Sequence, residues 1–181
     1  MNKIVTLSLL MILSNYSYGQ KYITKNGNLK FEASVSSFEE VKAINNKTMA
    51  IIEILKGDLV VMTSIKDFHF KSALMEEHFN ENYMESDKFP KATFIGKIEG
   101  FEISDITSVT KSYKISGDLT LHGKTKKVNT TVVVSMPSGN ISLMGNFEIK
   151  PEDYGITIPK IMWNKIAEKV MIKYSLTLTK Q

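Results

Sequence analysis

The stretch Phe68–Gly96, FHFKSALMEEHFNENYMESDKFPKATFIG, decides how this chain is read. Its centre departs from what surrounds it. Leu74, Met75, His78, Phe79 and Tyr83 recur at helical spacing and would share one face. Most of the chain on either side alternates apolar and polar residues with a period of two, the mark of half-buried strands. Ser72 is the expected N-cap, and Glu76 and Glu77 suit the positive end of the helix dipole. Asn80–Asn82 weakens the helix, and Asp87–Pro90 stops it, because a residue before proline avoids helical angles. One amphipathic helix among strands must cover something. Either it plugs a barrel as ordinary core or it forms a lid over a cavity, and spacing alone leaves both readings open.

The strands follow outward from the helix. Upstream, Leu29, Phe31, Ala33 and Val35 alternate with polar partners, and Met49–Leu55 and Leu59–Ile65 read as a hairpin around Lys56-Gly57-Asp58. Downstream, Ala92, Phe94, Gly96 and Ile98 form one face of a strand, with an imperfect alternation. Tyr113–Leu121 contains Gly117-Asp118 and is expected to bend or bulge there. Val128–Met136 and Ile141–Ile149 flank the turn residues Pro137-Ser138-Gly139-Asn140. Lys160–Ala167 reads as a short helix or turn, and Val170–Thr179 has the cleanest alternation in the chain. About eight strands with mostly short connections imply an antiparallel sheet, closed as a barrel or packed as a sandwich. A closed barrel of that size holds side chains alone or one small ligand.

The first residues are expected to be a secretory signal. Asn2 and Lys3 give a short basic start, Ile4–Leu13 is an apolar run, and Ser17-Tyr18-Gly19 offers small residues for cleavage. Such a run reaches about 15 Å as a helix, half of a roughly 30 Å hydrocarbon core. The expected division is therefore a signal peptide at 1–19 and one domain at 20–181, periplasmic or secreted, with no stable membrane span. The absence of cysteine excludes disulfides and thiol chemistry. All 23 basic residues are lysine, so the planar fork that grips phosphate is missing. A net charge of +4 fits either a solubilising surface, the preferred reading, or weak attraction to anionic lipid headgroups, and no basic cluster with interleaved aromatics suggests nucleic acid.

Catalytic chemistry is poorly represented. There is no G-x-S-x-G turn, no phosphate-cradling glycine loop and no H-E-x-x-H. His78 and Glu81 can share a helix face with His69 just before it, but nothing else in the chain strengthens a metal site, and none is assigned. Scattered carboxylates such as Glu76, Glu77, Asp87 and Asp153 offer no acid and base pair. The expectation is a protein that is not an enzyme and needs no cofactor.

Four ordered blocks carry a family resemblance. FHFKSALMEEHFNENYMESDKFPKATFIGKI resembles the YceI-like family of exported bacterial proteins, especially in EHFNENYMES and FPKATF. Gly117–Lys126 is similar to that family's G-x-L-T-I-H-G-x-T-K run, Glu152–Ile156 to its D-F/Y-G-I element, and Ile166–Val170 to the I-A-D-x-V start of its last strand. The match runs from about Tyr22 to the C-terminus. One departure stands out: Lys25–Leu29 lacks a histidine that many relatives carry early in the domain. The resemblance implies a lipocalin-like, mainly β, about eight-stranded antiparallel barrel with one amphipathic helix near an opening. It also implies a polyisoprenoid or other long apolar lipid inside.

Candidate lining residues are Phe31, Phe70, Leu74, Phe79, Phe94, Phe147, Trp163, Ile172 and Tyr174, with Met75 and Met84 able to adapt to a flexible chain. His122 and Lys124 are the candidates for a polar head. The competing reading is a solid-core structural protein acting through its outer surface. Oligomeric state is open, a homodimer through the helix or an exposed face being one arrangement.

Overall fold

The computed structural model describes residues 20–35, 38–162 and 164–181. The expected signal segment at 1–19 and Trp163 lie outside the described residues. The elements are β1 (Lys21–Ser34), β2 (Lys42–Glu53), β3 (Asp58–Ser64), β4 (His69–Phe70), α1 (Ala73–His78), β5 (Lys91–Ile98), β6 (Lys111–Leu121), β7 (Lys124–Ser135), β8 (Ile141–Ile149) and β9 (Ile166–Lys180). Eight strands close into an antiparallel barrel in the order β1-β9-β8-β7-β6-β5-β3-β2, with β2 returning to β1. The two-residue β4 adds to β2 through Ala43 and Ile44.

Closure leaves a dry inner face and a wet outer face on every strand. β9 shows the consequence most plainly: Val170, Ile172, Tyr174, Leu176 and Leu178 point inward, while Lys173, Ser175, Thr177 and Thr179 are exposed. Not all strand expectations hold. β1 begins at Lys21, well before the alternating run at Leu29, because its first half shifts register around Gly27 and so loses its simple period. The bend expected at Gly117-Asp118 is absent: β6 pairs with β5 and β7 in unbroken register through both residues. Gly117 serves a close approach instead. A Cβ there would stand 2.6 Å from Gly96 Cα and 2.5 Å from Phe94 Cζ.

The seam between β7 and β8 is the weak part of the wall. Only Val133–Ser135 and Ser142–Met144 pair across it, whereas β6 and β7 pair along their whole length. Above that short ladder, the Thr130 hydroxyl donates to the Asn146 carbonyl oxygen at 3.1 Å.

The two ends of the barrel differ. At one end the β2–β3 and β7–β8 connections are tight turns. There the layer of Ile52, Ile98, Val132, Val134, Ile141, Leu143 and Leu178 is sealed from solvent. Each such side chain contributes about 1.5–3 kcal/mol by leaving water. At the other end lie the β3–β5 connection with α1 and the β8–β9 connection from Lys150 to Lys165. Inward-facing residues near this end, among them Phe31, Phe94, Phe147 and Ile172, are only half-buried. Residues that face the axis yet remain accessible mark a hollow.

Candidate ligand-binding cavity

The hollow measures about 280 Å³. Its walls come from every strand of the barrel except β2, and no aspartate, glutamate or lysine is among its described lining residues. The solid-interior alternative therefore does not describe this barrel.

The roof is built by α1 and the turn after it. Ser72 caps α1 as expected, accepting a hydrogen bond from Met75 N–H at 3.4 Å, and Glu76 reaches back to accept from Phe70 N–H at 3.1 Å. After His78 the helix widens into a π-turn over Phe79–Tyr83, closed by Met84 N–H donating to the Phe79 carbonyl at 2.8 Å. The wider turn keeps Phe79, Tyr83 and Met84 on the side facing the barrel. Phe79 is the pin. Its ring stacks on Phe31 at 5.2 Å and meets Phe70 at 5.1 Å and Phe68 at 5.8 Å, a cluster in which each ring pair adds about 0.5–1.5 kcal/mol beyond its buried area. The helix is thus a lid over a void. Across the mouth the β8–β9 connection presents Pro151, Ile156, Ile158 and Met162.

Phe94 and Tyr174 narrow the hollow toward its bottom, which Leu59, Ile115 and Leu176 also border. Both line it, and both pack against the sealed layer beneath. The Tyr174 hydroxyl leans over Gly145, its register partner on β8. Burial in this apolar wall pushes the Tyr174 phenol up to about 12. Tyr83 and Tyr154 are also raised by burial. A measurable consequence follows for Tyr174. Its folded pKa lies above the ordinary phenol value of 10.0, so the neutral phenol's contribution is complete below pH 10.0 and is lost as pH rises toward about 12. The expected loss is about 2–3 kcal/mol, at about 1.4 kcal/mol per pH unit. Denaturant unfolding across that window should show the decline, and Tyr174→Phe should flatten it. An unchanged slope in the variant would assign the effect to other groups.

Of the candidate lining residues, Phe31, Phe70, Phe79, Phe94, Phe147, Ile172 and Tyr174 come together around the hollow, joined by Met75 and Met84. Leu74 does not. It is 59% exposed, because the short α1 and the π-turn after it aim Met75 and Phe79 at the barrel and turn Leu74 outward. His122 and Lys124 also lie off the cavity wall. His122, with φ +50°, places Nδ1 3.1 Å from the Tyr154 carbonyl oxygen and Nε2 2.9 Å from Glu85 Oε2. The Phe89 ring packs on it at 4.4 Å. It ties three loops of the rim together. The Lys124 side chain lies along Gly155.

The sequence reading missed Val61, Leu119, Leu121, Val128 and Ile149, which continue the inward phase of their strands and were findable from it. Ile156, Ile158 and Met162 sit on an irregular connection where no period signals them. His69 Nδ1 lies 3.4 Å from Glu76 Oε1, and among the described residues no group of three histidine, aspartate or glutamate side chains is placed to hold a metal.

Comparison with known proteins bears on the same features. A family model described as YceI-like domain matches residues 21–178. Among solved structures, a polyisoprenoid binding domain from Saccharophagus degradans, implicated in plant cell wall breakdown, superposes with a TM-score of 0.78 at 15% identity. That match covers 89% of this chain and 98% of the other. BcnA of Burkholderia cenocepacia gives 0.68 at 17% identity, covering 84% and 96%. The YCEI protein of Campylobacter jejuni gives 0.58 at 17% identity, covering 77% and 86%. No curated protein sequence matches.

Proposed function

The chain belongs to the YceI-like domain family, and from that membership and the shape of the hollow we propose that it binds, without catalysis, a long apolar lipid of polyisoprenoid type. The observation that carries this reading is a void of about 280 Å³ whose described lining holds no carboxylate or ammonium group. The polyisoprenoid binding domain of S. degradans, similar in fold, supports the choice of lipid class.

The mechanism is desolvation. If a methylene takes roughly the 30 Å³ share of a water molecule, about nine fit. At about 0.8 kcal/mol each they contribute about 7 kcal/mol of transfer free energy before the cost of association. A single added hydrogen bond contributes about 0.5–1.5 kcal/mol, so the tail outweighs any one polar contact with a head. We place this work in the cell envelope, on the strength of the basic and apolar start at Asn2–Leu13 and the small residues at Ser17–Gly19.

Protein purified from its own host and sprayed under native conditions should carry an apolar adduct of several hundred daltons, released on denaturation. Bare protein that also fails to take up an added isoprenol would sink the reading.

A further inference from the structure

We propose that Phe94 and Tyr174 form a fixed floor that sets how much of a chain the barrel takes in, about nine carbons, with any remainder left at the mouth. The inference rests on the lipid reading above and goes beyond it to chain length.

Three observations support it. First, the two rings approach from opposite walls. β5 and β9 are four strands apart in either direction around the ring of eight. Second, each ring lies over bare backbone. Phe94 covers Gly96 and Gly117, where a Cβ at either position would stand 2.5 Å from its Cζ, and Tyr174 covers Gly145. The glycines act as sockets: any side chain at these inward positions would lift the ring toward the mouth. Third, the layer below is closed. Leu59, Ile115 and Leu176, set deeper than the rings in register, are the last residues to border the void, while Ile52, Ile98, Val132, Leu143 and Leu178 are essentially inaccessible and do not border it. A chain end that reaches this level has nowhere further to go.

Straight-chain alkan-1-ols of increasing length are the probe, titrated calorimetrically into delipidated protein. For the wild type, affinity should rise about fourfold per added methylene and then level at about nine carbons. Phe94→Leu opens the floor and should move the break to longer chains by two or more carbons. Gly145→Ala should move it the other way, because the added methyl displaces the Tyr174 hydroxyl, the free end of a side chain, into the void. Should Phe94→Leu fail to fold, Tyr174→Leu opens the opposite side of the same floor. A wild-type break that stays in place in the folded variants overturns the floor. A wild type that binds no alkanol overturns the lipid reading and the floor with it.

Discussion

Phe147→Asp should leave a folded barrel that no longer takes up lipid. Phe147 pairs with Ile172 across β8 and β9, faces the void and sits 6.5 Å from the Tyr174 ring. It belongs to the half-buried upper wall and not to the sealed layer at Val132, Val134, Ile141 and Leu143. In the empty variant the carboxylate keeps its water inside the open hollow, so the fold survives. A tail entering that hollow must strip the water and leave an ion against hydrocarbon, which costs several kcal/mol. The ring's own contact with the tail is lost as well. Together these should weaken binding at least a hundredfold, about 3 kcal/mol. Phe147→Leu, apolar and close in size, should retain uptake. Measuring bound isoprenol in both variants, with thermal unfolding to confirm the fold, decides the matter. Normal loading of folded Phe147→Asp would show that the ligand does not pass this wall.

The second large effect is on stability. Gly117→Ala should cost about 3 kcal/mol. A Cβ at 117 meets Gly96 Cα and the Ile95 carbonyl oxygen, each at 2.6 Å, as well as the Phe94 ring. The first two are backbone, so relief requires parting β5 from β6. At about 2–4 °C per kcal/mol for a domain of this size, melting should fall by roughly 10 °C. Ser116→Ala, one residue away on the outer face, removes only an exposed hydrogen bond to Glu99 and should change little. A Gly117→Ala barrel that melts with the wild type would mean that these strands are not so close.

Gly117 also shows where sequence reading stops. A glycine inside a strand pattern suggests a bulge when only its own strand is in view. The partner that explains it, Gly96, lies on β5 and is brought opposite by register, a long-range fact. What depends on local chemistry was legible: the N-cap at Ser72, the turn at Pro137–Asn140, and the inward phase of β9 that placed Ile172 and Tyr174. The aromatic cluster around Phe79 was half legible. Helical spacing put Phe79 on the covering face, but it put Leu74 there too, because a uniform pitch was carried across a helix that stops at His78. The rim from Ile156 to Met162 has no period, so the family blocks and the short helix or turn read at Lys160–Ala167 were its main signals. His122 carried a real signal, a histidine at a turn, but its partners Glu85 and Tyr154 are distant in sequence.

The short ladder between β7 and β8 has a mechanical consequence. A hoop under outward load gives at its weakest joint, and here one joint is held by Val133–Ser135 against Ser142–Met144 and by a single threonine above. The bore of the vessel is therefore not one fixed diameter along its length. Near the base paired strands hold it, and toward the rim its girth is expected to follow how far that one joint parts, so on the lipid reading a branched or kinked guest would enter by local dilation there while the other seven joints stay shut.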